Sequence, residues 1–136
     1  MVIKNCYIKK VLVAKEKDTV LEISKILRDT QRRHLVVIDS KEKPVGVLSV
    51  VDINNRVVAE EMDPKEAVAR DIMTEQVISV DEEDEMAKAL ELMMDNNVLA
   101  CPVTRKGKLI GIIELKEVVH KIQKKKIDEV EHDGAD

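Results

Sequence analysis

Apolar residues recur along the chain in two copies of one pattern, offset by about 66 residues. In each copy a short apolar stretch, at Val11–Ala14 or Val77–Val80, precedes a charged turn and a segment with apolar residues at helical spacing. These helical positions are Val20, Ile23 and Leu27 in the first copy and Met86, Ala89, Leu90 and Met93 in the second. The pattern predicts a strand followed by an amphipathic helix in each half.

Each copy continues with two further strands and a second helix. The strands are predicted at Leu35–Ile38 and around Gly46 in the first copy, and at Ala100–Val103 and around Gly111 in the second. The inward residues of the second helices are predicted to be Ile53, Val57 and Val58 in the first copy and Val118, Val119 and Ile122 in the second. Each half therefore has the order β-α-β-β-α.

This order predicts an α+β fold of two tandem β-α-β-β-α repeats, at residues 1–62 and 63–127. The second repeat is expected to open on a helix capped by Asp63, with Pro64 at the first helical position. A unit of about 60 residues buries a comparatively small share of its surface and is marginally stable alone, so the two repeats should pack together. Residues 128–136 are highly charged and are expected to form a disordered tail.

Composition narrows the functional classes. The 136 residues include one Tyr but no Phe or Trp and carry a net charge of −4, which disfavours a nucleic acid partner. No apolar stretch approaches the roughly 20 residues that cross a bilayer, so no membrane association is expected. Cys6 and Cys101 fit neither a disulfide framework nor a zinc site, so a cytoplasmic location and no metal are expected. No side chains pair an activated nucleophile with a base, so the protein is not expected to be an enzyme.

The second strand of the first copy runs into a motif with specific chemistry. Ser49 lies where this strand gives way to a helix, and helix N-terminal N–H groups beside a hydroxyl bind phosphate oxygens. The Asp52 carboxylate can accept hydrogen bonds from the paired hydroxyls of a ribose. The alternative is structural, because Asp and Ser are also common helix caps.

The doubled plan, the motif GVLSVVD at Gly46–Asp52 and the phrase DIMT at Asp71–Thr74 together resemble a pair of CBS domains, a module also called a Bateman domain. The resemblance covers about residues 1 to 127. It implies that the repeats pack through their sheets about a pseudo-twofold axis and hold a ligand in the cleft between them.

The resemblance also implies which residues surround an adenine nucleotide. The motif of one copy faces a purine-holding wall from the other, and basic residues at two further places reach the phosphates. The implied set consists of the motif residues Gly46, Val47, Leu48, Ser49, Val51 and Asp52, the wall residues Val77, Ile78, Leu99 and Ala100, and the basic residues Arg33 and Lys116. For the two basic residues the alternative is an ordinary solvated surface position.

The second copy departs from the motif, because it reads GIIELKE. Glu114 replaces the hydroxyl residue and would repel a phosphate, whereas Glu117 replaces the aspartate and could still reach a ribose. A second, weaker site is therefore expected from Glu117, Val11, Leu12 and His34. It should be empty or hold an uncharged or cationic adenosyl compound, which leaves one phosphate-tolerant site.

These observations predict a stand-alone regulatory or sensor module. Its ligand would be an adenine nucleotide (AMP, ADP or ATP) or a compound of the S-adenosylmethionine type, acting as a regulator and not as a required cofactor. The resemblance further implies a homodimer that acts on an unknown regulated protein. The alternative is a protein-interaction or scaffold module with a vestigial cleft that binds no nucleotide.

Overall fold

The computed structural model describes residues 1–75 and 78–134, with side chains as far as Val130. The chain divides into two compact units. The first-repeat unit comprises Val11–Val77 and Gly107–Leu109, and the second-repeat unit comprises Met1–Lys10, Ile78–Lys106 and Ile110–Asp136. Residues 1–10 thus group with the second repeat, although the sequence analysis placed them at the start of the first.

The first-repeat unit is built on a four-stranded sheet in the order β1-β2-β3-β4. Strands β1 and β2 are parallel, whereas β3 runs antiparallel to both of its neighbours. The strands are β1 (Val13–Lys15), β2 (His34–Ile38), β3 (Pro44–Ser49) and β4 (Thr74–Glu75). The helices are α1 (Val20–Thr30), α2 (Val50–Ile53) and α3 (Ala69–Ile72), and a π-helical segment, Asn54–Val58, continues α2.

Helix α1 shows how local sequence fixes an element. It begins after Thr19, whose hydroxyl accepts a hydrogen bond from the Glu22 N–H while the Glu22 carboxylate accepts one from the Thr19 N–H, a capping box. It ends at Gln31, which adopts a left-handed conformation with φ of 56°. The predicted inward residues Val20, Ile23 and Leu27 are all buried in the core, which confirms the helical spacing.

Two sequence predictions for this unit were wrong. Val58 was predicted to face inward with Val57, but its side chain is 65% exposed whereas Val57 is buried. Both residues lie in the π-helical segment, where successive side chains point in different directions, and only Val57 is turned toward the core. Asp63 and Pro64 do not open a helix: Asp63 forms a single turn, in which its side chain accepts the Lys65 N–H, and the next helix starts at Ala69.

The second-repeat unit follows the same plan, with strands in the order β5-β6-β7. Its elements are β5 (Val80–Asp81), α4 (Met86–Asp95), β6 (Ala100–Arg105), β7 (Lys108–Glu114) and α5 (Leu115–Gly134). The predicted inward residues Met86, Ala89 and Met93 are buried and Leu90 packs against them, which confirms the face of α4. The α+β class predicted from the doubled pattern is confirmed.

Helix α5 extends to Gly134, into the segment from residue 128 that was expected to be a disordered tail. This segment follows Lys124, Lys125 and Lys126, and Lys and Glu are good helix formers that let a preceding helix propagate. Across the described residues, no helix has the length and apolar character needed to span a membrane.

The N-terminal segment forms an edge of the second-repeat unit. Lys9 and Ile112 exchange backbone hydrogen bonds of 2.8 and 2.9 Å, and Ile3 and Cys6 are buried in the core of this unit. A Cβ on Gly111 would lie 2.5 Å from the Lys9 carbonyl oxygen. In the first-repeat unit, a Cβ on Gly46 would collide with Met73 and lie 3.0 Å from the Thr74 carbonyl oxygen. Both glycines therefore admit a neighbouring segment of the same chain.

Candidate functional site

The junction between β3 and α2 brings Ser49 and Asp52 into contact. Ser49 is the N-cap residue of α2, and its hydroxyl oxygen accepts a hydrogen bond of 3.2 Å from the Asp52 N–H. In return, Asp52 Oδ2 accepts one of 2.9 Å from the Ser49 N–H. The structural role that the sequence allowed for these residues is therefore present, as a reciprocal capping box.

This capping box leaves hydrogen-bonding capacity on both side chains. A carboxylate offers about four lone-pair positions, and the Ser49 N–H takes one of those on Asp52. The Ser49 hydroxyl uses a lone pair to accept from Asp52, so its own proton stays free to donate to an anion. The Asp52 side chain is 17% exposed, which leaves part of it in contact with solvent. Capping and ligand binding are thus compatible at this junction.

Arg33 and His34 lie beside the same junction. The Val50 N–H donates a hydrogen bond of 2.9 Å to the Arg33 carbonyl oxygen, and His34 is the strand partner of Ser49 across β2 and β3. Both residues are exposed. The structure therefore groups two basic residues with the hydroxyl and the carboxylate of the motif.

Arg56 is a residue of this site that the sequence analysis missed. Its Nη2 lies 3.8 Å from Asp52 Oδ1, and its Nη1 donates a hydrogen bond of 2.8 Å to the Ile72 carbonyl oxygen. The signal that could have revealed it is the four-residue spacing of Asp52 and Arg56, which places opposite charges on one helix face. Arg56 therefore lies near the carboxylate oxygen of Asp52 that does not accept the Ser49 N–H.

The other implied residues of the first-repeat unit differ in how they could contribute. Leu48 is fully buried in the core and Gly46 is buried against Met73, so only their backbone atoms could meet a ligand. Val51 is 60% exposed at the start of α2. Half-buried positions are Val47, Val11 and Leu12.

The corresponding junction of the second repeat has the same main-chain hydrogen bond but different side chains. The Leu115 N–H donates a hydrogen bond of 2.8 Å to the Leu99 carbonyl oxygen, which matches the bond from Val50 to Arg33. Leu99 thus occupies the position of Arg33, and its side chain is 78% exposed. Ala100 is also exposed, whereas Ile78 is buried in the core of its unit. Val77, predicted with Ile78 to form the purine wall, lies outside the described residues.

Acidic groups dominate the second junction. Glu114 Oε1 lies 4.0 Å from Lys9 Nζ, and Glu114 Oε2 lies 4.0 Å from Lys116 Nζ. Lys116, implied as a phosphate ligand, is therefore placed next to a carboxylate. Glu117 Oε1 accepts a hydrogen bond of 3.3 Å from the Tyr7 N–H, which ties this counterpart of Asp52 to the N-terminal segment.

The two cysteines are poor nucleophiles in this structure. Burial raises the pKa of the Cys101 thiol to about 12, and burial likewise raises the pKa of the Cys6 thiol, so both favour the unreactive protonated form. Within the described residues, no group of three or more His, Cys, Asp or Glu side chains is placed to hold a metal ion.

Comparison with known proteins agrees with the doubled architecture. A sequence model of the CBS domain matches residues 3–66 and again residues 69–124. An uncharacterized protein of Methanopyrus kandleri is 32% identical over 110 residues, which are 80% of this chain and 56% of that protein. The chain therefore spans little more than half the length of this relative.

Two solved structures have the same fold. A CBS domain protein of Pyrobaculum aerophilum, complexed with AMP, has a TM-score of 0.67 and 23% identity over 86% of this chain and 89% of its own. A CBS domain pair in complex with 5′-methylthioadenosine and S-adenosyl-L-methionine also has a TM-score of 0.67 and 23% identity, over 92% of this chain and 98% of its own.

Proposed function

Because the chain belongs to the CBS-domain family and forms a CBS pair, we propose that it is a regulatory module that binds an adenine nucleotide or another adenosyl ligand. The observation that carries the proposal is the Ser49–Asp52 junction, where the capping box leaves a hydroxyl donor and several carboxylate lone pairs available. Two relatives of the same fold have been solved with AMP or with adenosyl sulfur compounds, which supports this class of ligand.

In the proposed complex, Asp52 accepts hydrogen bonds from the ribose hydroxyls. The Ser49 hydroxyl donates to a phosphate oxygen, and the exposed guanidinium of Arg33 supplies a planar, two-pronged partner for the same group. For the purine, the resemblance implies an apolar surface that includes the exposed Leu99 and Ala100. Ligand binding would then bias the state of a homodimer and of a regulated partner protein, without catalysis by this chain.

The two repeats should differ in the charge that they accept. In the first repeat, the hydroxyl and the nearby Arg33 favour a phosphate. In the second, Glu114 stands in place of the hydroxyl, and its charge is only partly offset by Lys9 and Lys116 at 4.0 Å. We therefore expect AMP, ADP or ATP at the first motif, and at the second either no ligand or a neutral or cationic adenosyl compound.

Isothermal titration with AMP and separately with S-adenosylmethionine tests this proposal. We expect one AMP site per chain; two equivalent AMP sites would contradict the asymmetry. A thermal-shift panel of AMP, ADP, ATP and S-adenosylmethionine gives a second measure, because a ligand at 100 times its dissociation constant stabilises the folded state by about 2.7 kcal/mol. No shift with any of the four compounds would favour a scaffold module with a vestigial site. Mass spectrometry of small molecules released from protein purified without added nucleotide would identify a retained ligand.

A further inference from the structure

Arg56 connects the carboxylate of the motif with the end of a neighbouring helix. Its Nη1 donates a hydrogen bond of 2.8 Å to the carbonyl oxygen of Ile72, which is buried and is the last residue of α3. A carbonyl at a helix C-terminus has no partner within the helix, so this bond satisfies it. Arg56 lies in the π-helical segment beside the buried Val57, and π-helical turns occur frequently at functional sites. One end of the guanidinium is thus held by the fold.

The other end of the guanidinium lies beside Asp52 without bonding to it. Arg56 Nη2 is 3.8 Å from Asp52 Oδ1, which is longer than the 3.2 Å or so that an N–H···O hydrogen bond spans. Oδ1 is also the carboxylate oxygen that the Ser49 N–H does not use, because that N–H donates to Oδ2. The Arg56 side chain is 46% exposed, so solvent reaches it. Neither atom therefore uses up the hydrogen-bonding capacity of the other.

This pair of atoms is complementary to a hydroxyl group. A carboxylate oxygen only accepts hydrogen bonds and a guanidinium only donates them, whereas a hydroxyl does both. Because the two atoms are 3.8 Å apart, one hydroxyl oxygen can lie about 2.8 Å from each of them. A phosphate oxygen in this place would be repelled by Asp52, and an ammonium group would be repelled by Arg56. The arrangement therefore favours a neutral group that donates and accepts at once.

We propose that Arg56 is a specificity-determining residue, which donates a hydrogen bond to the same ribose hydroxyl that donates to Asp52 Oδ1. The inference rests on the proposed function, because it takes Asp52 as the ribose ligand. A ligand that lacks this hydroxyl leaves both charged groups without their partner, and sites built to hydrogen-bond a hydroxyl reject such analogues strongly. The site thereby discriminates against a nucleotide from which this one hydroxyl is missing.

Isothermal titration of the full chain with AMP, 2′-deoxy-AMP and 3′-deoxy-AMP tests the contact. In Arg56→Met, AMP affinity should fall at least about tenfold, because a charge-assisted hydrogen bond is lost. The deoxy compound that lacks the contacted hydroxyl should bind the variant and the unaltered protein almost equally. The other deoxy compound should lose as much affinity as AMP. If Arg56 only held Asp52 in place or attracted the phosphate, all three ligands would weaken by the same factor.

Lys88 offers a matched control in the second-repeat unit. Its Nζ lies 3.6 Å from Asp84 Oδ1, four residues earlier in the chain. Asp84 Oδ2 accepts the Asp81 N–H at 2.9 Å, just as Asp52 Oδ2 accepts the Ser49 N–H. Lys88→Met thus removes the cation from a pair with the same local arrangement, but outside the proposed site. It should leave the affinities for all three ligands unchanged.

A second variant separates ligand contact from folding. Arg56→Lys keeps one donor nitrogen, which can satisfy the Ile72 carbonyl, but has no second nitrogen for the hydroxyl. It should melt close to the unaltered protein in the absence of ligand and show the same selective loss of affinity. In any folded variant, an equal loss for all three ligands, or no loss for any, would overturn the inference while leaving AMP binding by the unaltered protein intact. Failure of the unaltered protein to bind AMP would overturn the inference and the proposed function together.

Discussion

Replacing Asp52 by Ala separates its two roles, because the structure gives each a different magnitude. As the third residue of α2, Asp52 accepts the Ser49 N–H at 2.9 Å, and loss of a helix cap costs about 1 kcal/mol of stability. As a ribose ligand, it would lose charge-assisted hydrogen bonds worth about 1.5–3 kcal/mol each. We therefore expect a modest fall in stability but a fall in AMP affinity of at least about tenfold, and of at least about a hundredfold if both ribose hydroxyls are bound.

The chain offers a matched control in Asp71. This residue holds the same third position in α3, where its Oδ2 accepts a hydrogen bond of 3.3 Å from the Val68 N–H. Asp71→Ala removes a carboxylate with the same local geometry from a place outside the proposed site. It should lower stability by a similar or smaller amount, since Asp71 is exposed, and leave AMP affinity unchanged.

The assay pairs thermal denaturation without ligand with isothermal titration of AMP for both variants and the unaltered protein. A loss of about 1 kcal/mol in a chain of this size lowers the melting temperature by roughly 4 °C, which is easily measured. If Asp52→Ala binds AMP as tightly as Asp71→Ala does, the Asp52 carboxylate is only a helix cap. The ribose assignment would then be wrong even if the protein binds AMP elsewhere.

Three further predictions concern stability and titration. Gly111→Ala should destabilise the protein by about 1–3 kcal/mol, because the added Cβ would lie 2.5 Å from the Lys9 carbonyl oxygen. Gly46→Ala should destabilise it less, since the flexible side chain of Met73 can move in part. Equal melting temperatures for the two variants would contradict this order. Burial raises the pKa of Cys101 from 9.0 to about 12, so its contribution to stability is complete below pH 9 and is lost as pH rises toward 12. The difference in unfolding free energy between the unaltered protein and Cys101→Ala should therefore narrow across that interval, and a constant difference would argue against a buried thiol. Hydrogen bonds from Arg105 lower the pKa of Glu82, so this pair stabilises the fold above the ordinary pKa of Glu and loses its effect as pH falls through the lowered value. In Arg105→Gln, an NMR titration should show the Glu82 pKa rising toward its ordinary value, and no change would refute the assignment.

Sequence patterns predicted those parts of the fold that depend on local periodicity. Ile23, Leu27 and Ala89 are buried as their helical spacing indicated, and Ser49 lies at the strand-to-helix junction where the motif placed it. Such features depend on residues within one or two turns of each other, so a single sequence carries the signal.

Features that depend on distant residues could not be predicted in the same way. Lys9 pairs with Ile112 across more than a hundred positions, and nothing in the sequence near Lys9 indicates that its strand partner is in the second repeat. Ile3 is buried in the same unit, where its N–H donates a hydrogen bond of 2.9 Å to the Asp84 carbonyl oxygen. Gly111 was predicted only to lie on a strand, and its sequence context did not indicate that the Lys9 backbone would approach it.

The most informative difference between the repeats lies at equivalent backbone positions. The hydrogen bonds from Val50 to Arg33 and from Leu115 to Leu99 show that both strand-to-helix junctions share the same main-chain contact. We therefore expect any difference in ligand preference between the two junctions to come from their side chains. In the second junction the carboxylate of Glu114 replaces the hydroxyl of Ser49, and a carboxylate repels a phosphate where a hydroxyl attracts it. The apolar Leu99 replaces Arg33, whose guanidinium attracts a phosphate, and an apolar side chain neither attracts nor repels one. The second junction thus keeps this main-chain hydrogen bond but carries a carboxylate where the first carries a hydroxyl, which is why we expect one phosphate-bearing ligand per chain and not two.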